Sequence, residues 1–314
     1  MMPASSTGTI GAIASKELRS FLGNPTGYVF LTLFIVASAA AAFLTDTFFS
    51  RNLADLTTLN RWMPAILMFF VPAITMNLWA DERRSGTDEL LLTLPVRDTE
   101  VVLGKFFGAV GVYTVGLLFS LANVLVLAYL GEPDGGLMFA TYVGYWLMGA
   151  LFVAVGMVGS MFTGNTTVAF ILGALGCAAL VVSGEAPWAG GLIGVVIVGA
   201  AIALAWSIAF GTQRPQGLAW AVGGGVLVGL TLWLALPLKL VDALFRWRGA
   251  ESDMAASMKG VGDGFSDTFA ALSAPQHFAS FGEGMIRLGD VMFFVGGAAV
   301  ALYLCGIIIS RRHW

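Results

Sequence analysis

The chain alternates between long apolar runs and short polar breaks. Apolar stretches occupy 28–45, 62–80, 105–130, 137–162, 168–183, 188–210, 218–238 and 290–309. Each is close to the roughly 20 residues that an α-helix needs to cross the hydrocarbon core of a bilayer. Lipid offers no hydrogen-bond partner to an exposed backbone, so runs of this length without strand alternation predict membrane-spanning helices. The pattern therefore predicts an all-α integral membrane protein with about eight spans. Pro64 and Pro72 fall inside the second run and predict kinks there. The residues 37–40, Ala-Ser-Ala-Ala, resemble a signal-peptidase site. The run before them is longer than the roughly 7–15 residues of a signal-peptide core, which predicts an uncleaved span.

Two stretches outside these runs have helical spacing. Ile10, Ile13, Ala14, Leu18, Phe21 and Leu22 form one apolar stripe, with Ser15, Lys16, Arg19 and Ser20 opposite. That segment is too charged to span and predicts a helix lying in the interface. Glu17 sits at the edge of the stripe, where it either takes a partner, such as an arginine of the loop at 81–105, or snorkels to water. The second stretch is that loop, the densest charge cluster in the chain. Ser85 or Thr87 can cap a helix there, Leu90, Leu91, Leu92 and Leu94 give it an apolar flank, and Pro95 ends it. It reads either as a surface helix or as a solvated connector.

Composition sharpens this picture. Hydrophobic residues make up 58% of the 314, charged residues 11%, and the mean hydropathy is +0.85. Soluble domains carry roughly 25% charge, and no single core could hide this much apolar surface from water. A net charge of −3 argues against nucleic-acid binding, which wants a basic face. Cys177 and Cys305 both fall in apolar runs and read as small core residues, and neither His277 nor His313 has a ligand cluster near it in sequence, so no metal site is predicted. The chain has no G-x-x-x-x-G-K-[ST] and no H-E-x-x-H, so no catalytic residue is assigned and the chain reads as no enzyme by itself. The spans are nearly free of ionisable groups, which disfavours an ion-coupled carrier. Asn77 and Asn123 are the notable polar residues within them, read as helix-to-helix hydrogen bonds or as substrate contacts. Three G-x-x-x-G pairs, at Gly104/Gly108, Gly190/Gly194 and Gly225/Gly229, read as close helix packing.

Lysine and arginine near span ends orient the chain. Lys16, Arg19, Arg83, Arg84, Arg97, Lys105, Arg214, Arg311 and Arg312 fall on one side, and Glu132, Asp134 and Glu185 on the other, with Lys239, Arg246, Arg248, Lys259 and Arg287 in a longer outer loop where acidic residues offset them. This predicts both termini and the charged loop in the cytoplasm.

The run Ala80-Asp81-Glu82-Arg83-Arg84-Ser85-Gly86-Thr87-Asp88-Glu89-Leu90-Leu91-Leu92-Thr93-Leu94-Pro95-Val96 resembles the first cytoplasmic loop of ABC-2 type transporter permeases, closest to the gliding-motility-associated (GldF-like) branch. Residues 16–29, with Lys16, Glu17, Arg19 and Asn24-Pro25, resemble the start of those permeases. Residues 278–291 resemble their outer helices before the final span.

The resemblance implies a type V exporter-like permease of a bacterial inner membrane, with six core spans. Against that plan the 185–238 hairpin is an insertion. The organisation it implies is an interfacial helix in 1–25, five spans in 26–184 with a coupling loop at 81–104, the inserted hairpin, an outer amphipathic region at 239–288, and a last span with its tail in 289–314. It also implies a cytosolic ATPase partner that carries ATP and Mg, with no cofactor in this chain. A second permease copy or paralogue is implied, as is a companion with a large outer domain (GldG-like), with membrane lipid around the spans. Coupling to the ATPase would fall to Glu82, Arg83, Arg84, Gly86, Thr87, Glu89, Leu91, Leu92 and Pro95, and bracing of the loop to Lys16, Glu17 and Arg19. The alternatives are a membrane scaffold with no transport role and, less favoured, an ion-coupled secondary carrier.

Overall fold

A computed structural model of the chain describes residues 6–44, 56–87, 96–131, 133–184, 187–210, 224–230 and 264–310. Among these the regular structure is helical throughout. In chain order the helices are α1 (Ser6–Leu22), α2 (Pro25–Phe43), α3 (Thr57–Thr75), α4 (Asn77–Ser85), α5 (Asp98–Ser120), α6 (Ala122–Leu130), α7 (Gly135–Met161), α8 (Thr166–Val182), α9 (Pro187–Phe210), α10 (Ala274–Gly282) and α11 (Leu288–Ser310). Short helical segments also occupy 224–230 and 264–270. The chain divides into one unit of residues 1–178 with 277–314, and a second of residues 179–276.

Four helices are long and apolar enough to cross a membrane: Thr57–Ser85, Asp98–Leu130, Gly135–Met161 and Leu288–Ser310. A fifth is reached if Gly8–Leu22 and Gly27–Phe43, bent by 78° at the break between them, count as one span. The described residues do not carry the count to the expected eight. α8, in place of the expected fifth span, is a shorter apolar helix of 17 residues. Part of the inserted hairpin, at 211–223 and 231–238, and Arg214 with it, lie outside the described residues, as do Arg311, Arg312 and His313.

In the first unit α7 is the axis, packing against α3, α4, α5 and α11. Its burial follows from its sequence: Gly144, Gly149, Gly156 and Gly159 remove side chains where neighbours press, while Tyr145, Met148, Phe152 and Met157 fill the space between. Asp134 starts it, its Oδ1 accepting from the Gly136 and Leu137 N–H groups at 2.8 and 3.3 Å. Asn165 does the same for α8, its Oδ1 accepting from the Thr167 N–H at 2.9 Å.

The helix boundaries correct the sequence reading at three places. The second span does not end at Ala80. It breaks for one residue at Met76, whose N–H still donates to the Pro72 carbonyl at 2.8 Å, and runs on through Ser85. Ser85 therefore does not start a surface helix: its hydroxyl donates back to the Asp81 and Glu82 carbonyls at 2.8 and 3.2 Å. Gly86 ends α4 in the left-handed region (φ 68°), where a Cβ would be strained. The third span begins at Asp98 instead of Lys105, so Lys105 lies inside a helix and not at its mouth. The polar stretch expected over 46–61 gives way to helix at Thr57, and residues 45–55 lie outside the described residues.

In the second unit two G-x-x-x-G pairs receive helices. A Cβ on Gly190 would meet the Ser266 carbonyl at 2.5 Å, and one on Gly194 would meet the Phe265 ring at 2.7 Å. Gly225 and Gly229 lie against Gly199 and Val195 of α9 at 2.8 Å in the same sense.

Candidate functional site

Two ends of α7 carry the polar and aromatic groups that distinguish this chain from a plain bundle. At the end near Met161, α1 crosses α5. The crossing needs small residues: a Cβ added at Gly104 or Gly108 would lie 2.7 Å from the Cβ of Ile13 or of Glu17. The Gly104/Gly108 pair thus admits α1 closely enough to bring Glu17 beside Lys105, one turn of α5 away.

Lys105 is 1% exposed and is the centre of a four-residue ion cluster. Its Nζ lies 2.8 Å from Glu82 Oε1 and 3.2 Å from Glu17 Oε1, and it donates to the Leu78 carbonyl at 2.7 Å. Its ammonium also sits 4.9 Å from the centre of the Trp79 ring. Lys16 completes the cluster from outside, 3.2 Å from Glu82 and 3.5 Å from Glu17. Burial alone would lower the Lys16 pKa, but Glu17 and Glu82 outweigh it and hold the ammonium above the ordinary lysine value. Taking one such ion out of water costs several kcal/mol, which is why Lys105 has two carboxylates and a carbonyl in reach. Three helices, α1, α4 and α5, are joined by this cluster.

Arg83 makes the next link. Its Nη1 donates to the Met161 carbonyl at 2.9 Å, satisfying a backbone acceptor at the C-terminus of α7 and placing positive charge at that helix end. The turn after α7 lies close by, with the Gly164 Cβ position 3.9 Å from Arg83 Cβ. Arg84, Gly86 and Thr87 are exposed, and the Thr87 hydroxyl meets the Glu82 carbonyl at 3.3 Å. Glu89, Leu91, Leu92 and Pro95 lie outside the described residues. Arg19 is exposed in the last turn of α1.

The structure thus brings together Lys16, Glu17, Glu82 and, nearby, Arg83. It adds Lys105, which sequence reasoning counted as a flanking charge. Glu17 does take partners, but they are Lys105 of α5 and its own neighbour Lys16, not an arginine of the loop. The missed signal was the spacing Gly104-Lys105-x-x-Gly108, which buries a cation beside two residues that invite a helix.

Beside the cluster is a partly open cavity of about 190 Å³ lined by α1, α2, α3, α4 and α5. Asn77 lines it, and Asn123 elsewhere donates to the Ser38 hydroxyl of α2 at 3.4 Å, the helix-to-helix bond expected of it.

The other end of α7 is aromatic. Phe278 stacks on Tyr145 at 5.1 Å, and a Cβ on Gly144 would lie 2.6 Å from that of Phe281. The Tyr145 hydroxyl hydrogen-bonds Asn60, and Tyr113 donates to the Tyr145 carbonyl at 2.8 Å. Asp290, in the first turn of α11, holds α10 by two bonds: His277 Nδ1 at 2.7 Å and the Ser280 hydroxyl at 2.6 Å. His277, without a neighbour in sequence, acquires one across the α10–α11 corner, where Gly284 takes φ 81°. Among the described residues no three His, Cys, Asp or Glu side chains converge as metal ligands would.

No curated protein matches the chain. Residues 47–186, less than half of the chain but including α3 through α8 with Glu82, Arg83 and Lys105, match the family model described as ABC-2 family transporter protein. That similarity, with the apolar helices, supports a multi-pass membrane subunit of the ABC-2 permease type, a class that works with an ATPase subunit.

Proposed function

We propose that the chain is the permease subunit of an ABC-2 type ATP-driven transporter of the GldF-like branch, seated in a bacterial inner membrane with both termini in the cytoplasm. A separate cytosolic ATPase, carrying ATP and Mg, docks on the segment that follows α4. Arg84, Thr87 and Glu89 offer it polar contacts, Leu91 and Leu92 an apolar one, and Gly86 and Pro95 shape the connection. A second permease copy or paralogue completes the pair, and a companion with a large outer domain (GldG-like) meets the 239–288 region.

The observation that carries this reading is the Lys105 cluster. A displacement of the docking segment acts on the end of α4. Glu82 passes it to α5 through Lys105 and to α1 through Lys16, and Arg83 passes it to the end of α7. Nucleotide-driven motion needs contacts that differ between two states, and a shared cation offers that. Lys105 retains Glu17 when Glu82 withdraws, so α4 moves without stranding a buried charge.

The test is co-purification with the neighbouring ATPase. Leu91→Asp with Leu92→Asp is expected to abolish ATPase capture while membrane insertion persists. Glu82→Gln is expected to retain capture and lose substrate-stimulated ATP turnover. Unchanged capture by the double aspartate variant overturns the docking assignment.

A further inference from the structure

We propose that the cavity between α1, α2, α3, α4 and α5 is a binding site for the headgroup of an ethanolamine phospholipid. The wall of this cavity has two characters. Lys16, Glu17, Asp81 and Glu82 line one part, and apolar side chains including Phe21 and Phe30 the other. A purely polar solute would leave the apolar part unused, and a hydrocarbon would desolvate the carboxylates, so the wall fits an amphiphile. Phe21, Phe30 and Ile74 also line an apolar crevice of about 20 Å³ past Phe34, Phe70 and Tyr113, too small for an acyl chain, so the cavity takes the headgroup alone.

The charges select the headgroup. Three carboxylates, of Glu17, Asp81 and Glu82, face two ammonium groups, of Lys16 on the wall and Lys105 behind it, which leaves one negative charge in excess. The cluster is also unsaturated. Glu82 Oε1 takes both lysines, and the Asp81 carboxylate on the cavity wall has no ion pair among the described residues. A primary ammonium supplies both what the charge count and the free acceptor lack. Lys16, with 63% of its side chain exposed, is placed to meet the phosphate. A choline headgroup carries the same charge but no N–H donor, and a glycerol headgroup has no cation.

This inference does not rest on ATPase docking, and it is tested on the full chain alone. The purified, delipidated protein is titrated with phosphatidylethanolamine, phosphatidylcholine or phosphatidylglycerol. Bound lipid is counted by native mass spectrometry, and the thermal midpoint is followed in parallel. The ethanolamine lipid is expected to bind about tenfold more tightly than either of the others, the worth of a hydrogen bond to a charged group, and to raise the midpoint. Asp81→Asn, which leaves the Lys105 cluster intact, is expected to erase the preference. Ser20→Trp, at an exposed position on the rim, is expected to block binding of all three. Equal binding of ethanolamine and choline lipids overturns the proposal, as does unchanged ethanolamine-lipid binding in whichever of the two variants folds. Competition by free phosphoethanolamine at the same concentration as the lipid also overturns it, in favour of a soluble amine.

Discussion

The two ends of α7 are held by different physics. Near Met161 the neighbours are joined by charges: Arg83 on a helix-end carbonyl, and Glu82, Glu17 and Lys16 around Lys105. Near Gly144, about 25 Å away at the α-helical rise, they are joined by rings seated on a glycine, with the tyrosine hydroxyls satisfied. Ion pairs with shared partners exchange one contact for another as helices shift. Interdigitated rings lose contact on any shift, because close-packed groups have no alternative seat. One end is thus suited to move and the other to stay. Under the proposed permease role, that asymmetry would turn a displacement at one face into a tilt about the other.

Breaking each end in turn tests the contrast. The largest effect is expected from Lys105→Met, which leaves Glu17 and Glu82 facing each other with only Lys16. A loss of about 3–5 kcal/mol is expected, seen as a lower thermal midpoint in detergent, and adding Glu17→Gln and Glu82→Gln should restore most of it. Next is Gly144→Ala. The added methyl meets Phe281 at 2.6 Å, and a cost of about 1–3 kcal/mol is expected in the same assay. Asp290→Asn keeps one acceptor oxygen and turns the other into an amide donor, so it cannot accept from both His277 and Ser280. About 1–2 kcal/mol is expected, with faster hydrogen exchange confined to α10 if the corner is a local clamp.

The smallest effect is expected from Lys16→Gln, under about 1 kcal/mol, because water screens the exposed ammonium. Its pH signature is specific. A pKa raised above the ordinary 10.5 means the Lys16 contribution is complete below that value and is lost only as pH rises through the higher folded value. The wild-type midpoint should therefore be level through neutral pH in this respect, and the variant should lack part of the alkaline fall.

Much of this was legible in the chain itself. Uninterrupted apolar runs around Leu67, Val110, Met148 and Ala298 mark helices at membrane length, because period and hydropathy are local properties. The amphipathic stripe of Ile10 to Leu22 was legible for the same reason. The end of α4 was harder. Asp81 to Arg84 look like a solvated loop by charge, yet they continue a helix, because their partners are Lys16, Lys105 and the Met161 carbonyl, between about 20 and 80 residues away in sequence. His277 and Asp290 carried no visible relation for a similar reason, since a turn with Gly284 at positive φ makes them neighbours.

By itself, the sequence determined that this chain lives in a membrane, that apolar runs such as those around Leu67, Val110, Met148 and Ala298 form helices of membrane length, and that charge gathers at one break between them. Each follows from a residue's own preference for water or lipid and from its nearest neighbours. The tertiary structure alone decided which charge answers which, and that Lys105 is buried at the meeting of three helices. It also decided that two glycines admit α1 there and that a polar cavity opens beside it. Those outcomes depend on which helix surfaces approach closely enough to exclude water, and no single stretch of the chain encodes that.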